Sequence, residues 1–430
     1  MDLQPNILLI TLHDLGRQLS CYDRPTFSPG IDRLASEGVR FDNYFVCAPQ
    51  CSPSRACLTS GRWPHRTGVL GLVGKWGWQM NESVPTLAKA LGAAGYDTWL
   101  WGFQHEHPNP AALGYQHDPI GYRRGEVPKI TADYVGPRFC QWLETKPTVP
   151  WFCAVGFYET HLGWPTAAAT GRQLRDKSVP PWLPDSPQLR QDMLNFDQSL
   201  HQADRQVERI LETLDATGQA DNTLVVFTTD HGLPLPRAKC DLRDPGLEAA
   251  LLMRWPERLA ANRHCSELLS GVDLTPTLLE LAGVELPGDM DGASFAGLLT
   301  GGDYRPRDAI FAEQTWHDMY RPLRSIRTNR YKLIQRFNDF PENALPRDFY
   351  QTCAAAPMVG RMLDETVPAR CEFYDLAQDP TELRPRVADD PKDLPAPGRE
   401  LHRQLEAWMH RTNDPLLQGP VPSPDGTMPD

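Results

Sequence analysis

The sequence predicts an α/β protein, with one large, mixed but mostly parallel sheet flanked by helices and a smaller C-terminal α+β domain. Three observations predict it. Near-continuous apolar runs of strand length recur along the first 300 or so residues, the pattern of parallel strands buried on both faces. Stretches with helical spacing lie between them. After about Gly301 the runs give way to alternating, strand-like segments and one further helix.

The first apolar run, Asn6–Leu12, stops at His13-Asp14-Leu15-Gly16. A second, around 224–228, stops at Thr229-Asp230-His231-Gly232. Two more, at 98–101 and 151–155, are followed by His105 and His107 and by Glu159 and His161. Four separate strands thus deliver His or Asp just beyond their carboxyl ends, the edge where open α/β sheets bind ligands. Any one of these on its own reads as a turn, since Asp before Gly commonly makes one.

Apolar residues recur at helical spacing over 84–94 and 191–216. Met193, Phe196, Leu200, Val207, Ile210 and Leu214 form the inner stripe of the longer helix, and Gly218 supplies a stop. Asp273-Leu274-Thr275-Pro276-Thr277 leads into another helix that ends at Gly283. Beyond residue 301, 324–336 and 373–375 read as strands and 401–410 as a helix. The division expected is a catalytic α/β domain at 1–300, an α+β domain at 301–414 and a Pro/Gly-rich tail at 415–430 that wraps the surface or is mobile.

Composition narrows the function. The 430 residues carry a net charge of −12 and no long Lys/Arg run, which argues against a nucleic-acid partner. A small anionic substrate stays open, because a few convergent cations and a metal act through the local field. The N-terminus lacks a basic segment and a small-residue cleavage site, and no stretch reaches the roughly 20 apolar residues that span a bilayer. A cytoplasmic enzyme without a membrane partner is expected. The ten cysteines include no CxxC pair and do not form a disulfide framework. Nothing in the sequence sets the oligomeric state, and a homo-oligomer is compatible with it.

One segment carries the strongest signal: Cys51-Ser52-Pro53-Ser54-Arg55-Ala56-Cys57-Leu58-Thr59-Ser60-Gly61-Arg62. Pro53 suits a first helical turn, which places residue 51 at a helix N-terminus, where free N–H groups favour an anion. Arg55, one turn on, reaches back to the same centre. Read blandly, Cys51 is a buried structural thiol or clusters with Cys47 and Cys57 around a metal.

This segment resembles the Cys-x-Pro-Ser-Arg signature of the sulfatases, of the alkaline-phosphatase-like superfamily, in which a generating enzyme oxidises the cysteine to formylglycine. The resemblance extends over almost the whole chain. Residues 6–16 are similar to the family's first metal-binding strand, and 227–232 to its second. Lys239 matches a lysine that contacts the sulfate, His105 the end of Gly-Lys-x-His, and His161 the histidine after the next strand. Residues 373–380 and Glu382 resemble the closing Tyr-Asp-Leu and Asp-Pro-x-Glu. Within the family, 227–246, 319–326, Tyr331, Leu333, Asp348-Phe349-Tyr350 and Asn413-Asp414-Pro415 look like the heparan N-sulfoglucosamine sulfohydrolases (sulfamidases).

The resemblance implies a sulfuric ester hydrolase that cleaves sulfate esters or sulfamates of a small sulfated sugar through a covalent sulfo-enzyme intermediate. It implies Cys51, Arg55, His105, His161 and Lys239 as catalytic, and His13, Asp14, Cys51, Asp230 and His231 around one divalent metal. His161 would protonate the leaving atom and His105 orient the aldehyde hydrate. His107, Trp316, His317, Arg321 and Arg324 are weaker candidates for contacting the sugar. Three positions depart from the family pattern: His13 and His231 replace an Asp and an Asn, and Phe103 stands where a lysine is usual. Two imidazoles favour Mn²⁺ or Zn²⁺ over the family's Ca²⁺. Asp-His at the second strand also resembles the phosphonate monoester hydrolases and phosphodiesterases that share the nucleophile. A silent sulfated-glycan binder is the remaining reading.

Overall fold

The structure, a computed structural model, describes residues 4–123, 125–256, 258–339 and 368–427. Asp348-Phe349-Tyr350 lies outside the described residues. The main sheet is built from β1 (Asn6–Leu12), β2 (Val39–Phe41), β4 (Asp97–Gly102), β5 (Trp151–Gly156), β6 (Thr223–Thr229), β7 (Leu251–Arg254) and β8 (Arg263–Cys265), in the order β4-β5-β1-β6-β7-β2-β8. A short parallel pair, β3 (Tyr44–Phe45) and β9 (Leu269–Ser270), stands beside it.

β4, β5, β1 and β6 are mutually parallel, whereas β7 runs against both β6 and β2. Successive residues of β1 enter opposite layers of core: Ile7 and Leu9 into one, Leu8, Ile10 and Leu12 into the other. That is the two-sided burial that an unbroken apolar run requires. The helix Pro187–Thr217 covers one face with Met193, Phe196, Leu200, Val207, Ile210 and Leu214 buried, and Gly218 ends it at φ 72°. The helices Cys51–Ser60, Leu87–Ala93 and Leu274–Leu281 cover the other. The helix expected from residue 84 begins only at Leu87, because Pro85 precedes Thr86, whose hydroxyl accepts from Lys89 N–H as an N-cap,.

The C-terminal sheet is antiparallel throughout: β10 (Ile310–Trp316), β11 (Tyr320–Arg327), β12 (Tyr331–Arg336), β13 (Cys371–Asp375) and β14 (Arg386–Ala388). The strand expected over 324–336 is a hairpin, turning at Thr328, whose hydroxyl accepts from Tyr331 N–H. The helix Ala396–Thr412 lies on this sheet, and Trp408 stacks on Phe311 at 5.0 Å. Cys47, Cys57, Trp63 and Val272 of the larger part share that core with Ile326, Leu333 and Trp408. The tail is pinned: Trp316 Nε1 donates to Val421 O at 2.8 Å, and Val421 N–H to Tyr320 Oη at 3.1 Å.

Candidate active site

Parallel pairing in register decides where the polar residues emerge. Leu12 is paired with Thr229, so His13-Asp14 and Asp230-His231 leave β1 and β6 side by side. Asp14 turns back at φ 55°, a left-handed conformation that aspartate tolerates better than most residues. Gly232 must be glycine, since a Cβ there would lie 1.8 Å from the Pro245 carbonyl oxygen.

The helix Cys51–Ser60 points its first residue at this edge, as Pro53 anticipates. His13, Asp14, Cys51, Asp230 and His231 each offer a donor atom within 4.8 Å of the others, and all five are buried. His13 Nδ1 lies 2.7 Å from Asp14 Oδ1 and 3.2 Å from Asp230 Oδ2. Asp14 N–H donates to Asp230 Oδ1 at 2.9 Å, and Arg55 Nε donates to Asp230 Oδ2 at 3.0 Å. Lys239 Nζ donates to Asp14 Oδ2 at 2.9 Å and stands 3.5 Å from His161 Nε2.

Burial works against every charge here, yet the partners overcome it. Asp230 and Asp14 raise His13 to about 9 despite desolvation, and they hold His231 well above the ordinary histidine range. Lys239 and His13 hold Asp14 well below the usual carboxylate range. Lys239 and His13 likewise lower the Cys51 thiol. Residue 51 therefore sits where negative charge is stabilised. His161 behaves oppositely: burial, then the Lys239 ammonium, push it down to about 4, so it is uncharged at neutral pH.

The donor set fits a divalent cation. His231 Nε2 is buried without a hydrogen-bond partner, 3.0 Å from Asp14 Oδ1 and 3.8 Å from Asp230 Oδ1. Two carboxylates and two imidazoles converging on one point are metal-ligand chemistry.

A cavity of about 660 Å³ opens beside this group, lined by His13, Cys51, Phe103, His105, His107, Tyr158, His161, Lys239 and His317 among others. His105 lines the cavity with Cys51, its Nε2 lying 3.2 Å from Val73 O. Phe103 leaves no cation at its position: its ring stacks on His13 at 5.0 Å and under the Arg55 guanidinium at 4.8 Å. The sequence reading missed Tyr158, whose hydroxyl lies 2.9 Å from His161 Nδ1 and sets that ring's orientation. Its place three residues before His161, just after β5, is the one signal that marks it.

Two of the weaker candidates are corrected. Arg324 is fully buried, with Nη2 donating to Asp414 Oδ1 at 2.9 Å and Nε 3.4 Å from Glu313 Oε2. A guanidinium held by two buried carboxylates does not select a sugar. Trp316 packs with Leu70 and Trp78 as core. Arg321 Nη1 donates to Cys240 O at 2.8 Å. His107 and His317 do reach the cavity. The alternative cluster of Cys51 with Cys47 and Cys57 does not form: Cys47 bonds Ser270 Oγ, and both partners lie in apolar core.

A sulfatase family profile matches residues 5–284, and a profile for the C-terminal region of N-sulphoglucosamine sulphohydrolase matches residues 239–348. The chain belongs to the sulfatase family. This sulfatase is a sulfuric ester hydrolase with 26% identity to human N-sulphoglucosamine sulphohydrolase, an alignment that covers 98% of this chain and 92% of the relative. A solved structure described as a complex with its substrate D-glucosamine-2-N,6-O-disulfate superposes with a TM-score of 0.72 at 20% identity, covering 97% of the sulfatase and 99% of that chain. The phosphonate monoester hydrolase of Agrobacterium radiobacter superposes at 0.70 with 21% identity, over 95% and 96% of the two chains. Among the described residues of the sulfatase, no helix is long and apolar enough to cross a membrane.

Proposed function

We propose that this sulfatase hydrolyses sulfate esters or sulfamates of a small sulfated sugar, with residue 51 matured from cysteine to formylglycine. The observation that carries the reading is the convergence of His13, Asp14, Asp230 and His231 on Cys51 at a helix N-terminus that opens into the cavity. The relative that acts on N-sulphoglucosamine and the neighbour bound to a sulfated glucosamine support the substrate class.

A hydrated aldehyde at residue 51 would supply two hydroxyls on one carbon, one to attack sulfur with loss of the leaving group and the other to give up its proton and expel sulfate as the aldehyde reforms. A divalent cation would supply Lewis acidity for that attack; His13, Asp14, Asp230 and His231 would hold it with residue 51. Two imidazoles in that set favour Mn²⁺ or Zn²⁺ over Ca²⁺. The side chains around residue 51 do the rest. Arg55 holds Asp230 in place, so one carboxylate faces the nucleophile in a fixed orientation. Lys239 offsets the charge of an incoming sulfate beside Asp14,. His161, oriented by Tyr158, stands as a neutral hydrogen-bonding partner beside the leaving oxygen or nitrogen, and the Lys239 ammonium, 3.5 Å from its Nε2, is the protonated group that supplies the proton,. His105, which lines the same cavity, would orient residue 51.

Two measurements test this. Peptide mass spectrometry across residue 51, after co-expression with a formylglycine-generating enzyme, should find an aldehyde; a thiol throughout contradicts the mechanism. Turnover of an aryl sulfate and an N-sulfoglucosamine should exceed that of an aryl phosphonate ester. The reverse order establishes the phosphonate hydrolase reading that His231 shares.

A further inference from the structure

His317 belongs to the turn between β10 and β11 of the C-terminal sheet, yet it lines the cavity that holds Cys51. It is only 7% exposed. Its turn is fastened to the nucleophile's own helix. Gln50, which immediately precedes that helix, donates from Nε2 to Trp316 O at 2.9 Å, and Trp316 N–H donates to Leu70 O at 2.9 Å. A residue from the C-terminal sheet is thereby set in fixed register with residue 51.

The ring is aimed by a chain of charged groups. His317 Nδ1 lies 3.2 Å from Asp318 Oδ2, and Asp318 Oδ1 accepts from Lys75 Nζ at 2.5 Å. With Nδ1 committed to the carboxylate, Nε2 is the nitrogen left for the cavity that Cys51 also lines. A histidine whose second nitrogen is held by a carboxylate has a fixed orientation at the first. His317 stands outside the five-residue group around the candidate metal site. An aldehyde hydrate would carry two oxygens on a freely rotating bond, and each needs a partner to be kept in place.

We propose that His317 is a further catalytic residue of this sulfatase: its imidazole holds the side chain of residue 51 by a hydrogen bond from the C-terminal domain, with Asp318 and Lys75 as positioning residues. The proposal rests on residue 51 being the nucleophile, as argued above. His317 then makes the two parts of the chain a single active site, and the hairpin β10–β11 is a component of the chemistry as well as a wall of the cavity.

The test uses full-length enzyme co-expressed with a formylglycine-generating enzyme, with aldehyde content at residue 51 measured by peptide mass spectrometry. His317→Ala, His317→Gln and Asp318→Asn are compared with wild type at equal aldehyde content, using an aryl sulfate as substrate. His317→Ala should lower kcat about 100-fold with KM within roughly threefold, the cost of a misplaced reacting group. His317→Gln, which restores a donor, should recover about tenfold, and Asp318→Asn should fall between the two. A hydrazide should label the residue 51 aldehyde several-fold faster in His317→Ala, because the side chain is no longer held. An unchanged kcat, a change in KM alone, or equal losses in Ala and Gln with unaltered labelling would each overturn the proposal. An aldehyde-free wild type whose Cys51→Ala variant still turns over would remove the nucleophile reading itself, and the peptide mass distinguishes that failure from the others.

Discussion

The ammonium of Lys239 lies 2.9 Å from the Asp14 carboxylate, although 225 residues separate them in the chain. Both side chains are buried. The pair therefore does two things at once: it keeps Asp14 charged inside the protein, and it holds a cation at the mouth of the site. Lys239→Ala should lower kcat/KM for an aryl sulfate by about 10² to 10³, the scale of losing one electrostatic donor. It should also lower the thermal midpoint, because a buried carboxylate is left without its partner. Steady-state kinetics and calorimetry read the two effects separately.

The metal preference follows from the donor set. Protein purified without chelator should contain Mn or Zn by elemental analysis, and stoichiometric calcium alone contradicts the assignment. Adding the preferred ion at about 100 times its Kd to stripped enzyme should raise stability by about 2.7 kcal/mol. Replacing both imidazoles, as His13→Asp with His231→Asn, should shift the preference toward Ca²⁺ by hardening the ligand shell.

Glu159 gives a pH prediction at a group outside the proposed ligand set. Burial raises its carboxyl to about 7, against the hydrogen bond that its Oε2 accepts from Ala132 N–H at 2.9 Å. For an acid raised in the folded state, the unfolded chain holds fewer protons between the two pKa values, so stability falls as pH rises from about 4.5 to 7. Glu159→Gln keeps the acceptor and removes the charge. It should be more stable than wild type at pH 8, by up to about 3 kcal/mol, and nearly equal to it at pH 4. Thermal melts at the two pH values check the sign.

Arg324 of β11 pairs with Asp414 and with Glu313 of β10, and Glu313 in turn bonds His65 Nδ1 of the larger part at 2.8 Å. Arg324→Ala leaves Asp414 buried without its cation and Glu313 with His65 alone, and should cost about 3–5 kcal/mol. Urea unfolding measures it, with enzyme activity at low denaturant preserved if the residue is structural as placed here.

The sequence was legible where one residue's chemistry had one local explanation. Unbroken apolar runs of strand length can be buried only on both faces, so β1, β4, β5 and β6 were found within a residue or two of their observed ends. Pro53 and the left-handed Gly218 marked helix termini for the same reason. The paired His and Asp after β1 and β6 were named from the chain alone because each pair stands just beyond an apolar run of strand length.

Local pattern failed where a side chain's surroundings come from elsewhere. Arg324 and Trp316 read as weak candidates for contacting the sugar, but the packing of Asp414, Glu313, Leu70 and Trp78 makes them interior. Tyr158 gave too little signal, since its role exists only through the ring of His161.

By itself, then, the sequence determined the parallel strands, the helix that starts at Cys51 and the residue types fit to bind metal and anion, because each depends on periodicity and short-range backbone geometry. Only the tertiary structure decided that Cys51, His161, Lys239 and His317 line one cavity, since strand order and register set distances between residues hundreds of positions apart. It also decided which charges survive: burial penalises each of them, and the partners that outweigh the penalty are supplied by folding.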